Sequence, residues 1–558
     1  MKLQYILLLS LLVLLPFSFL YSQEGRVEEL YKNLYDENTA ISEDQKYEET
    51  YSAPTDDNTL YIIQKIEFQV KGRSKPFALM YHGKFREDEE IIGKENLERY
   101  IALKIQLLMN QRVLEEVRID HFIGEADETG AFPVKLVVYV KDTWNFIVLP
   151  YPKFDSNDGF SITLKARDYN FLGAMSPLKL DFGFARESDG DKTFNFLLDS
   201  DTPFSLFGLR WNLNFDNEIG FTIGKPLYYQ NVTGLSVDLP WRITTFNFGF
   251  NHYVTVNEEV DDEAKDLYGA TGDFYDPYGS AEFYANWEIP LGFSAGNFGD
   301  ISYTPKISTR FNYPVSKQYD HRKPVISFSN TIGFGRTDWI GNFRKELSAS
   351  ISNSYNWYLN RSDAPLDIDI NATGTVHWPF NKYIGISSRL NYYQKWQWSA
   401  KNDKWLPNYS AGNMIRGVID RDLQADLMLS LNLDFTIRLL RFWPSEWFNK
   451  PKLRFFNFEL YISPFLDLAL LKGPYNYLKQ NPYEGTDFNF KDIVAGFGLE
   501  LILYPGFFRS LRLRVSLGYN NYYSTDHCCF VHFISGIPKK GGFFPEWSEL
   551  YIGLDLFY

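Results

Sequence analysis

Apolar and polar residues alternate along residues 423–439 of the chain. The apolar positions are Leu423, Ala425, Leu427, Leu429, Leu431, Leu433, Phe435, Ile437 and Leu439. Every residue between them is polar except Met428. Side chains of a strand point to opposite faces in turn, so one face of this segment is apolar and the other polar. A soluble strand usually has about 5–6 residues, whereas a membrane-crossing strand needs about 9–11. The pattern therefore predicts a transmembrane β-strand.

Shorter segments with the same alternation follow one another after Trp144. Clear examples are residues 160–166, 178–184, 209–215 and 246–250. At about 25 residues for each strand and its connection, residues 143–558 predict a transmembrane antiparallel β-barrel of about 16 strands, with about 14 or 18 also open.

Residues 60–142 have a different pattern. Apolar residues favour a strand at 61–70, a helix near 94–109, and two further strands at 117–122 and 132–140. This order predicts one small α+β domain before the barrel.

The segments before this domain differ from it in composition. Residues 1–22 resemble a signal peptide, because Lys2 precedes an apolar run at residues 6–15 and small or polar residues follow. Residues 23–59 are rich in Asp and Glu and predict a solvated acidic linker.

Composition excludes one class of function and supports another. The net charge of -14 argues against nucleic-acid binding, which requires basic surfaces. Aromatic residues make up 18% of the 558 residues, as expected if Tyr, Trp and Phe form girdles at both membrane interfaces.

The sequence offers little for catalysis or cofactors. His252, His377 and Ser430 show no spacing typical of a nucleophile and its base. Cys528 and Cys529 are adjacent, between His527 and His532, and lack the two-residue spacing common in zinc sites. We therefore predict no enzyme activity, no metal and no cofactor, and leave open whether the two cysteines are free or oxidised.

Several motifs resemble those of the BamA/TamA superfamily. The sequence MIRGV, with Arg416 and Gly417, resembles the Val-Arg-Gly-aromatic motif of a loop that folds inward before the family's twelfth strand, with Val418 in place of the aromatic residue. The sequence PFLDLA, with Asp467, resembles its Phe-x-Asp-x-Gly strand motif, with Ala469 in place of the glycine. Gly496 and Gly498 resemble its Gly-x-Gly strand.

Three further regions extend the resemblance. Residues 167–173, RDYNFLG, are similar to the start of the family's barrel, and residues 60–142 resemble one POTRA domain. The segment at 551–558 resembles the C-terminal β-signal of outer-membrane barrels, through Tyr551, Gly553, Leu556 and Tyr558.

The resemblance implies a site as well as a fold. Arg416 would pair with Asp467 inside the lumen, where a guanidinium can hold a carboxylate in two-point geometry. Gly417 would let the loop backbone bend. The alternative is that Arg416 lies on a solvated external loop.

The resemblance also implies a location and a function. The protein is expected in the outer membrane of a diderm bacterium, with the POTRA-like domain in the periplasm. It would assist insertion, assembly or translocation of proteins through a seam between residues 160–167 and 547–558. Expected partners are outer-membrane lipid, unfolded outer-membrane or secreted client proteins, and periplasmic chaperones or accessory lipoproteins. The alternatives are a two-partner-type secretion pore for a soluble passenger and a plain porin or adhesin.

Overall fold

A computed structural model gives the structure of most of the chain. It describes residues 58–155, 159–186, 191–260, 272–313, 324–361, 364–400, 402–407, 415–416, 425–473, 485–506, 512–520 and 548–555. The expected signal peptide, nearly all of the acidic linker, and Cys528 and Cys529 lie outside the described residues.

Residues 60–142 form an α+β domain around a four-stranded sheet. Its elements are β1 (Leu60–Lys71), α1 (Pro76–His82), β2 (Glu89–Ile92), α2 (Lys94–Met109), β3 (Leu114–Ile123) and β4 (Phe132–Asp142). The sheet order is β2-β1-β4-β3, in which β1 and β4 run parallel and the other pairs antiparallel. Helix α1 and strand β2 were not predicted from the sequence.

Helix α2 closes the core of this domain. Its buried residues Leu97, Tyr100, Ile101 and Leu108 are spaced by three, one and seven positions, so they share one face of the helix. They belong to one core cluster with residues of β1 and β4 such as Tyr61 and Leu136. The domain is therefore a helix layer packed on one face of a sheet.

The remaining strands form a closed antiparallel barrel, which confirms the predicted fold class. In the described residues the elements are β5 (Phe146–Asp155), β6 (Gly159–Asp168), β7 (Leu178–Arg186), β8 (Lys192–Leu206), β9 (Leu209–Thr222), β10 (Tyr228–Trp241), β11 (Thr244–Val256), β12 (Tyr278–Ser294), β13 (Asp300–Tyr313), β14 (Val325–Ile340), β15 (Phe343–Tyr358), β16 (Leu366–Pro379), β17 (Ile384–Ser399), β18 (Lys404–Pro407), β19 (Leu427–Phe442), α3 (Pro444–Trp447), β20 (Phe458–Gly473), β21 (Thr486–Asp487), β22 (Val494–Pro505), β23 (Arg512–Asn520) and β24 (Ser548–Asp555).

Eighteen long strands make the wall of this barrel within the described chain, because the short β18 and β21 pair only with the ends of β17 and β20. The sequence predicted about 16. The connections explain the difference, since some take only two residues, as between β8 and β9. Thirteen of the long strands precede the loop of Arg416. The strand after that loop is therefore the fourteenth of the wall, where the resemblance implied the twelfth.

Two strand boundaries also differ from the prediction. The first barrel strand is β5, which precedes the strand at 160–167 that we expected to border the seam. Among the described residues the long alternating strand begins at Leu427, and Ala425, which the alternation placed on the apolar outer face, lies buried inside the barrel.

The outer face of the barrel is apolar. Large apolar side chains are exposed on many strands, including Phe182, Leu213, Phe248, Phe283, Ile307, Ile332, Ile351, Phe435, Leu466, Leu499 and Val515. A continuous apolar surface of this extent is stable only against lipid. The barrel therefore spans a membrane. In the described part of the chain, no helix has the length and apolar character needed to cross a membrane.

The α+β domain contacts the turns at one end of the barrel. Arg73 binds Asp168 at 2.7 Å, and the buried side chain of Asn170 donates to Ser74 Oγ at 2.8 Å. A Cβ on Gly173 would lie 2.1 Å from the carbonyl oxygen of Arg73. The RDYNFLG motif thus forms one contact between the barrel and the domain.

A second contact lies on the far side of the same barrel end. Asn110, just after α2, accepts from the backbone N–H of Trp339 at 2.9 Å and donates to Asp338 at 3.0 Å. Arg112 donates to Asn342 at 3.0 Å. These partners belong to the β14–β15 hairpin, eight wall strands from the first contact, so the domain lies across the barrel mouth.

Candidate functional site

Arg416 lies inside the barrel and binds Asp467 of β20. Its Nε and Nη2 donate to the two carboxylate oxygens of Asp467 at 2.8 and 2.6 Å, and its backbone N–H donates to the same carboxylate at 2.8 Å. Asp467 is completely buried. Three hydrogen bonds to one buried carboxylate fix both the side chain and the backbone of this loop residue.

Two further carboxylates complete the site. Arg416 Nη1 donates to Asp434 of β19 at 2.5 Å and to Glu500 of β22 at 3.2 Å. Arg514 of β23 lies 3.5 Å from Glu500. The loop arginine therefore joins three wall strands, β19, β20 and β22, through charged groups. We refer to Arg416, Asp434, Asp467 and Glu500 as the arginine clamp.

The residue before Arg416 is held by apolar contacts. Ile415 is almost fully buried in a cluster that includes Tyr393, Ala425, Met428 and Leu471. Met428 was the one apolar residue on the polar face of its strand. Its inward position is explained by Ile415, which gives it an apolar partner within an otherwise polar lumen.

Glycines of β22 make room for the clamp. A Cβ at Gly496 would lie 1.9 Å from the carbonyl oxygen of Arg416, so only glycine lets the loop backbone approach this strand. A Cβ at Gly498 would lie 2.6 Å from the ring of Phe465, and that ring is stacked 4.1 Å from the Arg416 guanidinium. The Gly-x-Gly spacing thus serves the loop and the aromatic ring beneath it.

A polar cavity lies beside the clamp. Its volume is about 860 Å³, and its lining includes Arg344, His377, Arg389 and Arg512 together with members of the clamp. The wall at this level combines charged and hydroxyl side chains, which suits a water-filled interior. The arginine clamp can therefore hold the loop at a fixed position in the lumen, with a polar cavity open beside it.

The structure brings some predicted site residues together and leaves others outside its description. Arg416, Asp467, Gly496 and Gly498 lie in one place. Gly417, Leu556 and Tyr558 are outside the described residues, and Tyr551 and Gly553 lie in β24, paired with Ser516 and Arg514 of β23.

Sequence reasoning missed Asp434, Glu500 and Ile415 as parts of the site. Asp434 and Glu500 each occupy an inward position of a two-faced strand, where polar residues are common, so nothing singled them out. The one available signal was Met428, an apolar residue at an inward position.

The residues weighed for catalysis are not assembled. His252, His377 and Ser430 lie on β11, β16 and β19. His377 is 2.6 Å from Ser387 through Nδ1, and Nε2 is 3.9 Å from Glu346, all on neighbouring strands that line the lumen. Within the described residues, no group of three or more His, Cys, Asp or Glu side chains could hold a metal ion.

Comparison with known proteins gives matches to solved structures. No family model matches the chain, and no curated protein does. CdiB from Acinetobacter baumannii is 15% identical over 88% of this chain and 73% of its own, with a TM-score of 0.42. BamA from Haemophilus ducreyi lacking POTRA domains 1-3 is 16% identical over 84% and 82%, with a TM-score of 0.34. CdiB from Escherichia coli is 10% identical over 96% and 97%, with a TM-score of 0.37.

These TM-scores are all below 0.5, so the class of this protein rests on its own geometry. It is a membrane-spanning antiparallel β-barrel with an α+β domain across one mouth. Within the described residues, a loop segment is clamped inside the lumen by a buried arginine.

Proposed function

We propose that this chain is a BamA/TamA-type outer-membrane protein that assists the insertion, assembly or translocation of other proteins. Residues 60–142 would be a POTRA domain in the periplasm of a diderm bacterium. The observation that carries the proposal is the contact of Arg416 with Asp467 and the approach of its backbone to Gly496. These residues come from three of the sequence motifs that resemble the superfamily, and they meet at one point.

The physical cost of the clamp supports a role beyond stability. A buried ion pair loses solvation energy that its attraction only partly returns, so stability alone does not favour it over apolar packing. A plain porin has no need of an α+β domain across its mouth. A protein that guides a polypeptide past its wall needs an interior of defined shape, and the clamp supplies it.

The α+β domain offers an edge for an unfolded client. Strand β3 lies at the end of the sheet order and pairs only with β4 among the described strands. Its backbone groups on the other side can pair with an added strand, which is β-augmentation. Exposed Phe122 on β3 adds an apolar contact for the side chains of such a strand.

The barrel seam supports lateral release. Strands β24 and β5 are the last and first strands of the closed barrel. Pro150 and Pro152 both lie in β5, and each lacks a backbone N–H. Because they are two residues apart, their backbone nitrogens face the same edge of the strand. Proline within a sheet is typical of edge strands. We therefore propose that β5, which lies beside β24 in the closed barrel, is a weakly paired strand of the seam.

The proposed partners follow from these surfaces. They are outer-membrane lipid around the barrel, unfolded outer-membrane or secreted clients at β3 and the seam, and periplasmic chaperones or accessory lipoproteins that deliver clients. The energy would come from client folding, without nucleotide.

A two-partner-type secretion pore is the second candidate. It shares the barrel and the clamp but exports a soluble passenger through the lumen, where the cavity of about 860 Å³ adjoins Arg416. In that case the domain across the mouth would have to move aside during export.

Photocrosslinking in intact cells tests the proposal. A photoreactive residue would replace Phe122 on β3 and, in a second strain, Leu550 on β24. A third strain would carry it at Ile351, which is exposed on β15 far from the seam. Captured molecules would be identified by mass spectrometry.

The captured molecules separate the candidates. Nascent barrel proteins at Phe122 and Leu550, and not at Ile351, would support assembly. A single soluble passenger at Phe122, together with one captured from Arg389 in the lumen, would support secretion. Lipid alone at every position would contradict both and favour a plain porin or adhesin.

A further inference from the structure

The connection between β19 and β20 is larger than most other turns at the domain end of the barrel. It contains α3 (Pro444–Trp447) and a 3-10 helix (Pro451–Phe456), where the β8–β9 and β10–β11 turns have two residues each. We call residues 443–457 the β19–β20 foot. Asn457 is buried and bonds Ser445 at 2.7 Å through Nδ2. A Cβ on Gly506 would lie 3.0 Å from Trp443. The foot is therefore a folded unit.

The foot exposes aromatic side chains. Trp447 and Phe456 are each 59% exposed, and Phe448 and Phe455 are each 64% exposed. Large apolar side chains that are exposed singly are common, but four within ten residues are not. Such a group indicates a surface that contacts something apolar.

This aromatic group continues the lipid-facing wall. Phe458 lies on the same face of β20 as Leu466, which is exposed on the outside of the barrel. Phe442 pairs with Phe458, with ring centroids 5.2 Å apart, and Trp447 packs edge-on to Phe442 at 5.1 Å. The aromatic contacts thus run from the outer wall directly into the foot.

The charges of the foot differ from those of the chain. Lys450, Lys452 and Arg454 are exposed cations, and Glu446 is the one acidic residue of residues 443–457. The whole chain carries a net charge of -14. A local excess of cations beside exposed aromatic rings complements an anionic membrane surface, where each Lys or Arg adds attraction and aromatic rings sit at headgroup level.

We propose that the β19–β20 foot binds the membrane surface at the domain end of the barrel and takes anionic phospholipid headgroups. Trp447, Phe448, Phe455 and Phe456 enter the headgroup and acyl boundary, and Lys450 and Lys452 bind phosphate. Arg454 pairs with Glu115 of β3 in the α+β domain, so the foot also links the bilayer surface to that domain. The proposal rests on the membrane-spanning barrel and does not require a client.

Lipid photocrosslinking on the purified full-length protein tests this inference. Benzoylphenylalanine would replace Phe448, and the matched control would carry it at Phe122, an exposed phenylalanine of the α+β domain. Both proteins would be placed in nanodiscs of phosphatidylcholine alone or mixed with phosphatidylglycerol. Heat-modifiable migration on a gel would check that each barrel is folded.

We expect lipid adducts at Phe448 in both discs, with phosphatidylglycerol enriched in the mixed discs, and little adduct at Phe122. Replacing Lys450 and Lys452 with Gln should lower that enrichment by about fivefold for each lysine. The Lys404→Gln control, at the other end of the barrel, should leave it unchanged. Equal lipid yields at Phe448 and Phe122, protein adducts at Phe448, or enrichment unaffected by the double substitution would overturn the proposal. Since no client is present, none of these results bears on the proposed transport function.

Discussion

The arginine clamp predicts that Arg416→Lys releases the loop although the charge is kept. The guanidinium makes four hydrogen bonds, two to Asp467 and one each to Asp434 and Glu500. A lysine ammonium is a single point and cannot hold Asp467 with two parallel bonds while it also reaches the other two carboxylates.

The size of the effect follows from the lost bonds. A hydrogen bond to a charged group contributes about 1.5–3 kcal/mol. Arg416→Lys loses two of the four hydrogen bonds, and the lysine recovers part of their free energy. The bound loop should therefore be destabilised by about 3 kcal/mol. This free energy raises the equilibrium constant for loop opening on the order of 100-fold. We expect the barrel itself to stay folded, because the strand pairs of β19, β20 and β22 do not depend on the loop.

Hydrogen exchange measured by mass spectrometry gives the readout. Peptides that contain Ile415 and Arg416 should exchange on the order of 100-fold faster in Arg416→Lys than in the unchanged protein. The matched control is Arg438→Lys, an inward arginine of β19 that faces Glu459. If exchange in Arg416→Lys rises by less than about threefold, or equally in the control, the two-point contact does not hold the loop.

Three further predictions concern the contacts around the loop and the domain. Gly496→Ala should speed hydrogen exchange at Arg416, because the added Cβ would lie 1.9 Å from the carbonyl oxygen of that residue. Gly374→Ala, whose Cβ would have no atom within 4 Å, should leave exchange at Arg416 unchanged. Equal exchange rates in the two variants would refute the close approach of the loop to Gly496. Asn170→Ala should loosen the domain by about 1–3 kcal/mol, since it removes a buried amide that bonds two domain side chains, and spin-label distances between domain and barrel should broaden. Burial lowers the pKa of His82 to about 4, so between pH 4 and about 6.5 the unfolded state binds more protons than the folded state. The free energy of unfolding of the domain should therefore fall as the pH drops through that window, by up to about 3 kcal/mol, and His82→Gln should abolish this pH dependence of exchange in α1.

Much of the fold could be read from the sequence because a barrel strand carries its own signature. The alternation around Leu433 requires only that one face of the strand contacts lipid and the other faces the water-filled lumen. Each of these environments favours a residue type at its own position, whatever the rest of the chain does. The helix at Lys94–Met109 was also predicted from local sequence alone, because its apolar residues recur at the spacing of one helix face. The count of strands was less accurate, because connection lengths have no comparable pattern.

The pairing of Arg416 with Asp467 was reached through family resemblance rather than through spacing. Fifty-one positions separate the two residues, and no local rule relates them. The same holds for the RDYNFLG motif, which resembled the start of the family's barrel. Its function as the contact between domain and barrel became visible only when Asn170 was found beside Ser74.

The sequence by itself determined that the chain forms two-faced strands and that a small α+β domain precedes them. It also showed that Arg416 of the barrel loop belongs to a recognisable motif. Only the tertiary structure decided which strands border the seam, that Asp434 and Glu500 share the arginine, and that Gly496 stands where the loop backbone passes. The physical reason is that alternation and propensity act between near neighbours. Closure of the barrel brings together inward side chains from distant strands, and that meeting depends on register and strand number.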